Sequence, residues 1–281
     1  MAVADLLVVV SDVVLRWVIV YFPVCFLDIT PVCSSVMVTI VASTECSVWL
    51  TVFFTFDRCA TICSQRLKSK YCTEKTAAVV IGTVCVLSCL ESVPWYFKFE
   101  PGHVIDNVPW FCETKASYYT SSTWAALELI HRILVPLLPF LLILVSNALT
   151  IRHILASSKA RRRFRTHSTG DRQPDPEAER RRKSITLLFA ISGSFILLWT
   201  PFLSYFIYQR VGFMSNSYHP SPLAATLGVM LQLLSSCTNT CIYVATQSKF
   251  REELGNFLKY PCTLIVKRLG RPPDVKGTTR M

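Results

Sequence analysis

An all-α, polytopic membrane helix bundle is the fold class this sequence predicts, on three observations. Of its 281 residues 52% are apolar and only 17% charged, with a mean hydropathy of +0.41, whereas a soluble domain carries about a quarter charged residues. Six stretches are long enough for a bilayer core, which takes roughly 20 mostly apolar residues in one helix because every backbone amide must be satisfied within the segment. The positive charge, finally, is confined to alternate connections between those stretches.

The spans are expected at residues 1–22, 33–59, 76–97, 123–151, 184–208 and 223–246. Lys and Arg number five between Arg58 and Lys75, eleven between Arg152 and Lys183 and eight from Lys249 onward, against three in the other connections together. Cytoplasmic loops collect these residues, so the rich set is placed inside the cell, and six spans put both termini there. The net charge of +11 then points to anionic lipid, not nucleic acid. Twelve cysteines scattered through apolar runs read mostly as small buried side chains, not as a disulfide framework.

Outside the spans, residues 152–183 are too polar to bury and are expected to form a mobile loop with helical ends. After the last span, Phe250, Leu254, Phe257 and Leu258 recur at helical steps, which predicts an amphipathic juxtamembrane helix over 248–262 lying on the membrane. Cys262 follows it, either as a lipidated anchor or as an unmodified thiol. Residues 263–281 read as a disordered cytoplasmic tail.

Ionisable groups inside a bilayer are costly and rare. Here they are Asp5, Asp12, Arg16, Glu45, Glu91, Glu128, His131 and Arg132. Asp12 and Arg16 are one turn apart and able to neutralise each other. Glu45 has no partner within its own turn and requires one from another helix. Pro94, Pro136, Pro139 and Pro201 each remove a backbone hydrogen bond, so bends are expected there. A transporter lined by Asp5, Asp12 and Glu45 remains a reading of these acids, although internal repeats are absent. No pair of metal-ligating histidines, nucleophile elbow or phosphate loop supports an enzyme or a cofactor.

Several short motifs occur together. The second span ends Thr55-Phe56-Asp57-Arg58-Cys59, the fifth carries Phe195 and then Leu198-Trp199-Thr200-Pro201, the sixth holds Asn239-Thr240-Cys241-Ile242-Tyr243, and the first begins Met1-Ala2-Val3-Ala4-Asp5-Leu6-Leu7. Cys33 lies 25 residues before Arg58. In these features the chain resembles the rhodopsin-like (class A) G-protein-coupled receptors from their second helix onward. Six of the seven receptor helices are therefore expected, with a short amphipathic C-terminal helix, and a truncated, non-signalling receptor form is the alternative. Ser47-Val48-Trp49 and the Asp57-Arg58 context resemble the orphan branch of probable G-protein coupled receptor 139.

The resemblance implies function residue by residue. It pairs Cys33 with Cys112, with Cys25 as a competing partner on the same side. It implies a sodium ion held by Asp5, Ser47, Ser235, Ser236 and Asn239, a set of oxygen ligands suited to a hard cation. Asp57 would hold Arg58, the G-protein contact, although Cys59 replaces the family's tyrosine. Phe195, Trp199 and Pro201 with Asn239 and Tyr243 would be the activation switch, with Thr240 where proline is usual. Ile40, Val41, Thr44, Glu45, Glu128, His131, Arg132, Phe202 and Phe206 would face an extracellular peptide or small-molecule ligand. With no carboxylate at Ile40, that ligand is not expected to be a simple biogenic amine. Glu45 facing His131 or Arg132 either anchors the ligand or merely pairs. The partners implied are a heterotrimeric G protein and the lipid of the plasma membrane.

Overall fold

The computed structural model describes residues 2–22, 25–165, 176–214 and 221–246, and, near the C-terminus, 251–253, 255–257 and 259–260. The described residues of all six expected spans are helical apart from Phe22. The first comprises α1 (Ala2–Val8), a π-helical segment (Val9–Val14) and α2 (Leu15–Tyr21). After a 3₁₀ turn at Phe26–Asp28 come α3 (Thr30–Cys63), α4 (Gln65–Tyr71) and α5 (Glu74–Ser92). Four short strands follow, β1 (Phe99–Glu100), β2 (His103–Ile105), β3 (Val108–Trp110) and β4 (Glu113–Thr114). Then come α6 (Ala116–Thr120), α7 (Ser122–Arg132), α8 (Leu138–Arg165), α9 (Pro176–Met214) and α10 (Pro222–Thr246).

Among the described residues, four helical stretches are long and apolar enough by themselves to cross a membrane: Thr30–Cys63, Glu74–Lys98, Ser122–Ser157 and Arg182–Gln209. They overrun the expected boundaries because hydropathy marks the lipid-facing part of a helix, not its end. At 34 residues, α3 is about 51 Å long and exceeds the hydrocarbon thickness. The basic connection, expected as a loop with helical ends, is helical as far as Arg165 and again from Pro176.

Local chemistry sets the ends and the bends. Pro31 in the first turn starts α3, and the Ser64 hydroxyl accepts from Leu67 N at 3.4 Å to start α4. Thr73 caps α5 in the same way, accepting from Thr76 N at 3.2 Å. Where Pro94 removes a donor, α5 tightens into the 3₁₀ turn Val93–Lys98, and Pro136 lies in the π segment Ile133–Leu137 between α7 and α8. The π segment in the first span contains no proline. There Ser11 Oγ donates to Leu7 O at 2.6 Å, a side-chain bond that competes with the backbone ladder.

Helix α3 is the hub, packing against α1, α5, α8 and α9. Its interior positions alternate small hydroxyls with valine. Thr51 and Thr55 donate to the carbonyls one turn back, at 2.9 and 2.8 Å, which satisfies buried hydroxyls while letting neighbouring backbones approach. Val48, Val52, Val135, Ile143, Phe195 and Trp199 form one apolar cluster, and Ala4, Cys46, Leu50 and Val84 a second. Large apolar residues such as Val79, Leu90, Leu197 and Leu223 face outward, as lipid contact requires.

The chain divides into two compact units, Met1–Thr240 and Cys241–Met281. Within the second, Arg251 donates to Val244 O and Ala245 O at 3.0 and 3.2 Å, covering carbonyls left open at the end of α10. The described residues of the expected amphipathic helix are helical, and Phe257 is exposed. Phe250, Leu258, Cys262 and the tail lie outside the described residues, as does Leu254.

Candidate functional site

The N-terminal end of α3 is closed by a small β structure that the sequence did not announce. β2 pairs with β3 across a two-residue turn, and β1 with β4. Asp106 and Asn107 supply that turn with φ of 50° and 60°, the left-handed region that this hairpin type needs and that Asp and Asn tolerate. The structure joins Cys33 to Cys112 with a Cα–Cα distance of 6.6 Å, and Cys25 is free. Thr30 Oγ1 donates to Phe111 O at 2.7 Å and Phe111 N to Asp28 O at 2.6 Å, so hydrogen bonds fix the hairpin beside the disulfide.

Beneath this cover two polar clusters flank α3. Residues two apart on a helix point about 200° from each other, so Glu45 and Ser47 face opposite sides. Ser47 Oγ donates to Asp5 Oδ1, and Asn239 stands beside the same carboxylate. Asp5, Ser47, Ser235, Ser236 and Asn239 are all buried. Ser47, Ser235, Ser236 and Asn239 line a narrow cavity together with Thr44, Thr51, Gln232, Phe195 and Trp199, and Asp5 is joined to that lining through Ser47. The cavity holds ≈ 10 Å³ for the centre of a water-sized group, about one water. Asp5 Oδ2 and Asn239 Oδ1 are buried there without a hydrogen-bond partner. Two orphaned oxygens among hydroxyls are the donor set that suits a small hard cation, and the residues fit the sodium ion the resemblance implies.

On the other face Glu45 meets His131, with Oε1 3.1 Å from Nδ1. Of the two partners left open, the structure selects His131. Glu91 joins from α5, its Oε1 also 3.1 Å from that nitrogen, and the Trp95 ring packs edge-on to the imidazole with centroids 5.0 Å apart. Glu91 was visible as an intramembrane acid but carried no role. Its partner lies 40 residues away, and nothing in sequence spacing signals it. Arg132 takes a different environment, 3.8 Å from Glu128 and over the rings of Phe202 and Phe206 at 5.0 and 5.2 Å. The proposed ligand set is thus divided. Thr44 borders the polar cavity, Glu45 and His131 form one group, and Glu128, Arg132, Phe202 and Phe206 another. Ile40 and Val41 are half-buried on α3. Asp12 pairs with Arg16 at 2.5 Å, so Asp5, Asp12 and Glu45 meet three different partners.

The aromatic pair of α9 is close-packed, Phe195 and Trp199 having centroids 5.3 Å apart, and Phe202 meets Trp199 edge-on at 5.9 Å. Both lie within one turn or so of Pro201, which is inside α9. Gly228 of α10 permits the close approach there: a Cβ would sit 3.1 Å from Phe202 Cα. Tyr243 belongs to α10, but its side chain lies outside the described residues. At the far end of α3 Asp57 holds Arg58 at 2.9 Å, and the guanidinium rests on the Phe54 ring at 5.2 Å. Cys72, in the loop between α4 and α5, accepts from Thr61 Oγ1 at 3.6 Å and donates to Asp57 O at 3.9 Å. Burial pushes its thiol pKa up.

The chain is 25% identical over 268 residues to probable G-protein coupled receptor 21 of Mus musculus, covering 94% of this chain and 73% of that receptor. Its likeness to the Homo sapiens receptor of that name is 26% over 188 residues, 65% of this chain and 50% of the receptor. G-protein coupled receptor 52 of Bos taurus matches at 25% over 189 residues, 66% of this chain and 49% of that receptor. In the last two the match spans about half the relative's length. The family model for 7 transmembrane receptors of the rhodopsin family matches residues 1–243, from the buried Asp5 through the last helix. That match covers most of the chain, and the chain belongs to the rhodopsin family of G-protein-coupled receptors.

Proposed function

We propose that this multi-pass membrane protein carries an extracellular ligand signal across the plasma membrane to a heterotrimeric G protein, with the arginine-rich connections and both ends of the chain in the cytosol. The observation that carries the reading is the shared lining of one cavity. Ser47, Ser235, Ser236 and Asn239 line the same small space as Phe195 and Trp199, and Asp5 is bonded to Ser47, so a change in ring position changes the room left for the polar groups. Asp5, Ser47, Ser235, Ser236 and Asn239 would hold a sodium ion, which supplies positive charge beside the half-bonded carboxylate. Glu128 and Arg132 with Phe202 and Phe206 offer the ligand a charged rim over aromatic walls.

Activation in this reading is a shift between two helix arrangements, with no chemistry on the ligand. In one, Asp57 holds Arg58. In the other Arg58 is released to the G protein, and the basic connections add attraction to anionic lipid of about 1 kcal/mol per residue near the surface. The test is nucleotide exchange by heterotrimeric G protein on nanodiscs containing the purified chain. Exchange above empty discs that falls at least about tenfold with Arg58→Ala supports the proposal, since each tenfold step is near 1.4 kcal/mol of lost coupling. Exchange no greater than with empty discs, or unchanged by Arg58→Ala, contradicts it.

A further inference from the structure

Glu45 of α3, Glu91 of α5 and His131 of α7 converge from three helices. His131 Nδ1 is 3.1 Å from an oxygen of each carboxylate, and the three ligand atoms lie within 4.8 Å of one another. We propose that these residues form a binding site for a divalent transition metal, zinc in particular, distinct from the hard-cation cavity on the opposite face of α3.

Four observations support the assignment. The first is ligand chemistry. One imidazole and two carboxylates are zinc ligands, whereas magnesium and calcium favour oxygen-only shells. The second is spacing. Bonds of about 2.0–2.2 Å to a tetrahedral ion place ligand atoms roughly 3.3 Å apart, and the two measured edges are 3.1 Å. The third is an unmet bonding capacity. The Glu45 side chain is only 4% exposed, yet its Oε1 has no aligned hydrogen bond although Nδ1 is within reach.

The fourth is charge. Both carboxylates of the cluster can ionise in an apolar setting only if more than one positive charge faces them, since an isolated buried charge is expensive. A divalent ion balances both and leaves the imidazole neutral, its metal-binding form. The neighbouring cations are directed elsewhere. Arg132 lies on Phe202 and Phe206, and the Lys98 ammonium is 4.3 Å from the Tyr118 ring centroid. Trp95 packs against the edge of His131 and holds the ring in place. Glu91 is 28% and His131 13% exposed, which leaves a mouth on that side. Three protein ligands leave a fourth position for water or for an electron-donating group of a ligand. A metal there ties α3, α5 and α7 together at one level.

The test uses the purified chain in nanodiscs, without G protein or receptor ligand. Thermal unfolding is followed in metal-free buffer and against zinc and magnesium, and cobalt is added to report coordination through its visible absorption. Zinc but not magnesium should raise the unfolding midpoint. Glu91→Gln, which keeps shape and hydrogen bonding, should weaken zinc at least about tenfold and abolish the cobalt bands, and His131→Ala should remove zinc binding altogether. If His131→Ala does not fold, Glu91→Gln decides alone. A wild-type chain indifferent to zinc would overturn the proposal, and so would a zinc response retained in full by Glu91→Gln, which would place the metal on the free thiols.

Discussion

Two buried polar clusters hang from one helix, two residues apart, and they are built on opposite principles. Around Glu45 charge meets charge: a carboxylate from α3, another from α5 and an imidazole from α7, with both short distances at 3.1 Å. Around Ser47 a single carboxylate meets neutral oxygens, and two of its polar atoms remain unbonded beside a small cavity. The difference teaches what each can be asked to do. A cluster built of charges resists the loss of any member, whereas a single carboxylate among neutral oxygens responds to what enters beside it.

The largest expected effect comes from breaking the charged cluster. His131→Ala leaves Glu45 and Glu91 facing each other in an apolar setting, and removing one partner of a buried ionic group costs about 3–5 kcal/mol. Thermal unfolding in metal-free detergent measures it. A loss under about 1 kcal/mol would make the cluster a solvated surface feature and erase the contrast.

Next is the cover shared by both clusters. Cys112→Ser opens a bridge spanning 79 residues and should lower stability by about 2–4 kcal/mol. Surface delivery in cells should fall with it. Because the hairpin is also tied by Thr30 and Phe111, Thr30→Val in the same background should lower the midpoint further. An unchanged midpoint in Cys112→Ser would mean that those hydrogen bonds suffice.

A smaller effect separates the two faces. Gly228→Ala places a methyl 3.1 Å from Phe202 Cα, and overpacking of a tight contact costs about 1–3 kcal/mol. The strain falls between α9 and α10, beside Trp199, so it should disturb the neutral cluster and spare the charged one. Basal G-protein exchange and zinc affinity, measured on one preparation, distinguish these outcomes: a change in exchange alone fits, and a change in zinc affinity alone does not.

How much of this was legible in sequence depended on whether the signal was local. Hydropathy located the long helices, since apolar character is averaged along each of them, and Pro94 and Pro136 marked real departures from α-helix. The π segment at Val9–Val14 was missed because its cause is one serine hydroxyl bonding backward. The hairpin was missed because its strands are two or three residues long, too short for an alternation to register. Asp5, Ser47 and Asn239 were grouped only through resemblance to a family, and the choice of His131 over Arg132 as partner of Glu45, with Glu91 as third member, depends on helix rotation that composition and spacing do not encode.

The contrast is tested most directly by titrating sodium chloride against thermal stability, with choline chloride matching the ionic strength. Wild type and Glu91→Gln should both gain stability with sodium and not with choline, while Asp5→Asn, which keeps the Ser47 contact but not the charge, should gain none. A sodium response that survives in Asp5→Asn, or that disappears in Glu91→Gln, would contradict the division of labour between the two faces of α3.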